Sequence, residues 1–143
     1  MNVSTETLLL GVAQALNEKI LPELRDYTAD SARLAAIIVN IAAKSFDDAA
    51  ALRVAENAGI RAVFADAHEL IGGELGGRLA AAARAGDPSL RVSDLDAENA
   101  RLRQLLVELH AEVDNRDGAE AQETGRRIWR LLRDMEARRA PPA

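Results

Sequence analysis

The sequence contains no cysteine, and only 3% of its residues are aromatic. Without cysteine the chain cannot form disulfides, thiolate metal sites or a cysteine nucleophile. Because 48% of its 143 residues are hydrophobic, the core must be aliphatic and rich in alanine, and both leucine and alanine favour helix. No stretch shows the alternation of Val, Ile, Thr and aromatic residues that is typical of strands. The composition therefore predicts an all-α protein.

Long apolar runs and targeting signals are also missing. No apolar segment reaches the roughly 18 residues that a membrane-spanning helix requires. The first residues lack the basic cluster of a secretory signal, and Glu6 precedes their apolar run. We therefore expect a soluble cytoplasmic protein that does not associate with a membrane.

The net charge of −5 is unevenly distributed. Residues 119–143 contain six arginines and four acidic residues, a local charge of +2, so residues 1–118 carry −7. An acidic surface repels phosphates, whose neutralisation supplies most of the affinity of non-specific nucleic-acid binding. The charge thus argues against a nucleic-acid partner.

The strongest regular signal lies in residues 95–113. Positions spaced alternately by four and three residues fall on one helix face, namely Leu95, Asn99, Leu102, Leu106, Leu109 and Val113. Leu105 widens this stripe beyond the narrow seam of a two-stranded coiled coil. We therefore expect the central helix of a small bundle here, with Ser93 or Asp94 as its N-cap.

The first helix is expected to begin after Ser4 or Thr5, which are both good N-cap residues. Pro22 lies inside its apolar pattern, where it removes a backbone donor and crowds the preceding turn. The pattern predicts a kink near residues 18–22, or a break into two helices.

A second helix is expected to begin at Asp30 or Ser31. Its apolar side consists of Leu34, Ile37, Ile38 and Ile41. A further helix could start at Ser45, but we favour one long helix that runs to about residue 57 and ends at Gly59 in a left-handed cap.

Two glycine pairs, Gly72-Gly73 and Gly76-Gly77, predict a corner or hinge, because glycine weakens a helix by about 1 kcal/mol relative to alanine. A last helix is expected over residues 119–138, with Trp129 at the edge of its buried face. Together these elements predict a compact bundle of about four main helices plus short helices. We expect one domain over residues 1–139 and a disordered tail at residues 140–143.

The N-terminal half contains a distinctive pattern, made up of the segment Ile20-Leu21-Pro22-Glu23-Leu24 and of Arg33, Leu34, Ala35 and Asn40. In this pattern the chain resembles a family of small helical proteins of unknown function, over about residues 5–60. Genes of that family often neighbour genes for aminoglycoside-phosphotransferase-like kinases and acyl-CoA dehydrogenases. The resemblance implies an accessory role, with a protein partner in acyl-chain metabolism, and it supplies no catalytic residues.

No motif predicts catalysis, a metal or another cofactor. A helix-turn-helix around Gly59 is disfavoured, because Asp66 and Glu69 on its second helix would repel phosphates. Neither His68 nor His110 has the glutamate three residues earlier that di-iron bundles use. The segment GGELGGR matches neither the P-loop nor the dinucleotide-binding pattern.

Two asparagines lie within apolar stripes, where an unpaired amide would cost roughly 1–3 kcal/mol. We predict that Asn40 and Asn99 face each other or another buried polar partner and thereby fix helix register. A polar lining for a ligand pocket is the alternative. Stabilisation on replacing Asn99 by leucine would indicate register alone, whereas destabilisation would indicate a hydrogen-bond network.

The last helix carries a stripe of arginines at positions 126, 130 and 133. A solvated face with weak surface ion pairs is the simpler interpretation of Arg126, Arg130 and Arg133. The functional interpretation is that they bind an acidic partner or a phosphate-bearing ligand.

These observations favour a non-catalytic accessory or interaction protein, a helical bundle that self-associates as a homodimer or docks on an enzyme. The alternative is a small-molecule binding module for an acyl chain or acyl-CoA, held in an aliphatic cavity between helices.

Overall fold

The computed structural model describes residues 3–140 and contains six α-helices in that range. They are α1 (Thr5–Ala15), α2 (Asp26–Phe46), α3 (Ala49–Ile71), α4 (Gly73–Arg84), α5 (Val92–Asp114) and α6 (Ala119–Arg139). The described residues include no strand, so the predicted all-α class is confirmed. Four of the helices have 21 to 23 residues, and α1 and α4 have 11 and 12. Of the tail predicted at residues 140–143, the last three positions lie outside the described residues.

The chain divides into two compact units, and the boundary between them in the sequence falls between Ala49 and Ala50. The N-terminal unit contains α1 and α2, and the C-terminal unit contains α3 to α6. Each unit is described by itself below. The single domain over residues 1–139 stays a prediction.

The N-terminal unit is a hairpin of two helices. As predicted, Ser4 caps α1, and its Oγ accepts a hydrogen bond from the backbone N–H of Thr7 at 3.1 Å. After α1 come a π-helical turn, Leu16–Ile20, and a 3₁₀ turn, Leu21–Glu23, which contains Pro22. The predicted kink at Pro22 stays a prediction. The chain then passes through extended backbone into α2, which packs against α1.

Two predicted boundaries of the second helix are wrong. It begins at Asp26, four or five residues before the expected caps, and Ser31 instead donates its hydroxyl to the carbonyl of Tyr27 at 3.0 Å, as serines inside helices do. It also ends at Phe46 rather than near residue 57. The break is a turn at Asp47 and Asp48, where two acidic residues meet the negative end of the helix dipole and do not favour its continuation.

Gly59 does not end a helix, because α3 runs through it. A Cβ atom at this position would lie 2.9 Å from Cδ1 of Leu131 on α6. The glycine therefore provides space for a neighbouring helix rather than a left-handed cap. The turn of the disfavoured helix-turn-helix is likewise absent, since the segment around Gly59 is continuous helix.

The core of the C-terminal unit is centred on α5, as predicted. All residues of the stripe predicted for α5 are buried. The predicted N-cap of this helix is wrong, because α5 begins at Val92 with Arg91 as its N-cap rather than Ser93 or Asp94. The largest side chains that are almost completely buried around it include Ile60, Phe64, Leu79, Ile128 and Met135. On α6, Trp129 is 59% exposed, so it lies well outside this core.

A glycine corner joins α3 to α4, as the sequence predicted. Gly72 and Gly73 both have positive φ angles, 63° and 61°, which residues with a side chain rarely adopt. Gly76 lies one turn into α4, where a Cβ atom would be only 2.7 Å from the carbonyl oxygen of His68. Gly76 thus allows the two helix ends to approach closely. A Cβ atom on Gly77 would instead have open space around it, with no heavy atom outside the local helix backbone within 4 Å.

These two neighbouring glycines should respond oppositely to alanine. Gly76→Ala is expected to destabilise the protein by about 1–2 kcal/mol, because backbone must move to make room for the methyl group. Gly77→Ala is the matched control and should stabilise it by about 0.5–1 kcal/mol through helix propensity. Urea unfolding of both variants measures this difference, and equal effects would contradict the close approach at Gly76.

Candidate functional site

The exposed apolar face of α2 is the most unusual surface of the N-terminal unit. Four large aliphatic side chains on this face are about half exposed, namely Leu34 at 58%, Ile37 at 52%, Ile38 at 56% and Ile41 at 48%. On the opposite side of the same helix, Ala36 and Ala43 are buried. A helix segment that is apolar on all sides is normally buried on all sides. The apolar side predicted for the second helix is therefore the exposed side of α2.

The buried apolar side chains of the described part of this unit are all alanines, Ala13, Ala36 and Ala43. Larger side chains elsewhere in the hairpin are also exposed, among them Leu8 and Val12 on α1. Monomeric soluble proteins rarely expose contiguous apolar patches of more than a few hundred Å², and larger ones usually mark interaction sites. We call the four residues Leu34, Ile37, Ile38 and Ile41 the α2 face.

Charged residues flank the two ends of the α2 face. Asp30 and Arg33 precede it and form an exposed ion pair, with Nη1 of Arg33 2.7 Å from Oδ1 of Asp30. Lys44 follows it in the last turn of α2. The face is thus bounded by the Asp30–Arg33 ion pair at one end and by the ammonium group of Lys44 at the other, with an apolar segment between them.

Asn40 lies half-buried beside the α2 face. It lines a surface groove of about 360 Å³ between α1 and α2, together with Leu10, Gln14, Asn17 and Ile37. The groove places an amide next to apolar side chains, as the ligand-pocket interpretation requires. Binding of a ligand by Asn40 stays a prediction.

Asn99 belongs to a buried network in the C-terminal unit. Its Nδ2 donates to Oδ1 of Asn57 at 2.9 Å and to Oε2 of Glu56 at 3.3 Å. Its Oδ1 accepts from Nε of Arg103 at 2.8 Å. Of the two arrangements predicted for Asn99, the structure therefore shows another buried polar partner rather than Asn40.

Glu56 is the centre of this network and has no exposed surface. Arg139 at the end of α6 binds both of its oxygens, with Nε to Oε1 and Nη2 to Oε2 each at 2.7 Å. Nη2 of Arg103 lies 3.6 Å from Oε2. Burial alone would raise the pKa of Glu56, but the hydrogen bonds and charges of Arg139 and Arg103 outweigh it and lower the pKa below the ordinary value of 4.5.

A second set of contacts extends the network toward the segment before α5. Asp87 accepts from Nδ2 of Asn57 and from Nη1 of Arg61, both at 2.9 Å. Nη2 of Arg61 donates to Glu98 at 2.8 Å. A hydrogen bond from Arg101, together with that from Arg61, outweighs burial and lowers the pKa of Glu98. Since guanidinium groups already bind these carboxylates, the network is suited to joining helices rather than to proton transfer.

The sequence pattern does not single out Glu56 and Asn57, because it predicts the end of a helix at these positions. A signal for them existed, because they lie four and three residues before Ile60 and therefore on the same helix face as that core residue. Recognising it required the knowledge that α3 continues through Gly59.

The predicted arginine stripe lies on the exposed side of α6. Arg126, Arg130 and Arg133 are all exposed, and Arg126 pairs with Glu123 at 2.7 Å, three residues earlier on the same helix. Close by, the ring of Trp129 makes an edge contact with His110, with 5.3 Å between ring centroids. Binding of a partner by these arginines stays a prediction.

Comparison with known proteins does not indicate a family or a function for this chain. No protein-family model, no curated protein and no solved structure matches this chain. Among residues 3–140, no helix combines the length and the apolar character that crossing a membrane requires. In the same range, no group of three or more histidine or acidic side chains is placed to hold a metal ion.

Proposed function

We propose that this chain is a non-catalytic interaction protein whose N-terminal hairpin binds another protein surface through the α2 face. The observation that carries the proposal is the exposure of four large aliphatic side chains on a helix segment whose opposite side is also apolar. Interface cores are depleted in charged residues and are more apolar than the remaining surface. The α2 face has that composition.

The size of the face indicates a reversible complex. Burying the exposed half of a leucine or isoleucine contributes roughly 1 kcal/mol, so the α2 face supplies about 4 kcal/mol. An equivalent surface on the partner supplies about as much again. Association costs roughly 4–15 kcal/mol in lost translational and rotational freedom. We therefore expect a complex that dissociates on dilution.

An accessory role beside an enzyme of acyl-chain metabolism is part of this proposal, and it rests on the family resemblance of residues 5–60. The arginine stripe of Arg126, Arg130 and Arg133 offers such an enzyme a second contact of opposite charge if its docking surface is acidic. Self-association and enzyme docking would use residues of different helices, α2 and α6.

The alternative function, binding an acyl chain or acyl-CoA, is supported by the groove beside Asn40. Ligand pockets usually bury 70–90% or more of a drug-sized ligand. The groove is lined by side chains that are themselves largely exposed, including Gln14, Asn17 and Ile37. A protein surface therefore fits the N-terminal hairpin better than a small molecule does.

The absence of cysteine allows a direct test by single-cysteine labelling. Ile38→Cys reports on the α2 face, and Gln104→Cys, at an exposed position of α5 outside both proposed contact surfaces, is the matched control. In cells, a membrane-permeant maleimide should modify Cys at position 38 at least about tenfold more slowly than Cys at position 104, because a bound protein excludes the reagent. The variant protein, purified and diluted, should lose this protection as the complex dissociates.

Two results would contradict the proposal. Equal labelling of the two positions in cells would mean that no protein covers the α2 face. Protection at position 38 that persists at high dilution in a purified monomer would mean that the chain covers the face itself.

A further inference from the structure

We infer that the partner of the α2 face is a second copy of this chain, and that the two α2 helices pack antiparallel in one defined register. The inference rests on the proposed function and specifies its partner. It follows from the order of side chains along α2 and from the charges at the two ends of the α2 face.

The spacing of the aliphatic residues in the α2 face is symmetric along the helix axis. Leu34 and Ile41 lie equally far from the midpoint between Ile37 and Ile38, and all four residues are aliphatic. A two-fold axis through that midpoint would place Leu34 opposite Ile41 of the second copy. An interface between identical copies related by a two-fold axis must be self-complementary in this way. The pattern fits the antiparallel arrangement of helices in many bundles.

Shape alone would also permit parallel packing, in which each residue faces its own equivalent. The charges distinguish the two arrangements. Asp30 and Lys44 lie on the same flank of α2, 14 residues apart, and residues on equivalent flanks meet when two helices pack antiparallel. In parallel packing the two equivalent flanks would lie on opposite sides of the contact, so Asp30 and Lys44 of one copy would not meet those of the other and no ion pair would form between the copies.

In the antiparallel register, Asp30 lies opposite Lys44 of the second copy. The two positions are offset by one residue, or about 1.5 Å along the helix axis, which both side chains can span. The present partner of Asp30 is Arg33, and the side chains of this pair are 75% and 56% exposed. Such surface pairs contribute little, so exchanging one for a contact between copies carries a small penalty.

Tyr27 extends the same face toward the start of α2. It is 84% exposed and lies seven residues, two helical turns, before Leu34. In the proposed register Tyr27 lies opposite position 48 of the second copy, just past the end of its α2 at Phe46. Contact between the two helices then runs over most of the 21 residues of α2, rather than over the four aliphatic residues alone.

Disulfide mapping tests the register in the full chain, since every introduced cysteine is the only one present. Purified Leu34→Cys, Ile38→Cys and Ile41→Cys proteins are oxidised mildly, singly and as mixtures, with Gln104→Cys as the collision control. The proposal predicts cross-linked dimers for Ile38→Cys alone and for the mixture of Leu34→Cys with Ile41→Cys. Leu34→Cys alone and Ile41→Cys alone should cross-link no more than the control.

Charge substitutions provide an independent measurement by sedimentation equilibrium. Lys44→Glu places two carboxylates opposite each other at both ends of the interface and should weaken the dimer about tenfold, and Asp30→Lys should have a similar effect. The double variant Asp30→Lys/Lys44→Glu should restore the dimer. A mixture of the two single variants should form heterodimers in preference to either homodimer.

Each possible failure has a distinct meaning. Efficient cross-linking of Leu34→Cys to itself, with no gain in the mixture, would show parallel packing and overturn the register. If Ile38→Cys does not cross-link in the purified protein but position 38 is still protected in cells, the partner is not a second copy of this chain. The proposed function would then stand, with a different protein as the partner. Unprotected position 38 in cells, without cross-linking, would overturn both.

Discussion

Replacing Asn99 by leucine is expected to destabilise the C-terminal unit by about 2–4 kcal/mol. Its side chain is 4% exposed and makes three hydrogen bonds, with Glu56, Asn57 and Arg103. Leucine has a similar volume but can form none of them, so the buried oxygens of Glu56 and Asn57 lose a donor. Leaving a buried polar group unsatisfied costs about 1–3 kcal/mol, and more when the group is charged.

The fluorescence of Trp129 makes the measurement specific, because it is the only tryptophan and lies on α6 of the C-terminal unit. Urea unfolding of the Asn99→Leu protein should show a lower midpoint than that of the wild type. Gln104→Leu, at an exposed position of the same helix, is the matched control and should change stability by no more than about 0.5 kcal/mol. Increased stability of the Asn99→Leu protein would mean that Asn99 specifies register and that its hydrogen bonds are dispensable.

The sequence predicted α5 well because the helix combines a regular apolar stripe with burial along its full length. Periodicity identifies which residues of a helix share a face, and in α5 that face is the core. The same stripe singled out Asn99 as a polar residue that needs a partner. It could not identify Glu56 and Asn57, since their separation of more than 40 residues from Asn99 is bridged only by tertiary packing.

The boundaries between α2 and α3 show a different limit. Glycine favours left-handed caps, so Gly59 predicts a helix end. In the structure Gly59 lies inside α3, where the absence of a side chain makes room for Leu131. Conversely, Asp47 and Asp48 carry no strong stop signal, although α2 ends beside them. Local propensity is weak enough that packing against a neighbouring helix decides such cases.

The candidate interaction site was predictable only in part. The sequence identified Leu34, Ile37, Ile38 and Ile41 as one apolar face, and the structure places them together on α2. Their exposure could not be predicted, because a hydrophobic pattern shows which face requires cover but not what provides it. In α5 the cover comes from α3, α4 and α6, whereas the α2 face lies about half exposed.

Removing the guanidinium of Arg139 is expected to produce a loss of stability as large as that of Asn99→Leu, and one that depends on pH. Arg139→Ala leaves Glu56 buried with Arg103 as its remaining cationic partner. Breaking a buried ion pair by removing one partner costs about 3–5 kcal/mol. Because Arg139 is 44% exposed and Arg103 remains, we expect about 2–4 kcal/mol near neutral pH.

The sign of the pH dependence follows from the pKa of Glu56. In the wild type this pKa is lowered below 4.5, so the carboxylate contributes its full stability above that value, and the contribution is lost as pH falls through the folded-state pKa. In the Arg139→Ala protein, burial should outweigh the remaining attraction and raise the pKa of Glu56. The variant then regains stability relative to the wild type on acidification, because Glu56 becomes neutral.

Urea unfolding followed by Trp129 fluorescence at about pH 7.5 and about pH 4.5 should therefore give a larger difference between the two proteins at the higher pH. Arg138→Ala, at the neighbouring exposed position, controls for the loss of one positive charge from the end of α6. In a Glu56→Gln background, Arg139→Ala should cost less than about 1 kcal/mol, because no buried charge is left unpaired. A loss of stability that is the same at both pH values and in both backgrounds would show that Arg139 acts through packing of its aliphatic stem and not through the charge of Glu56.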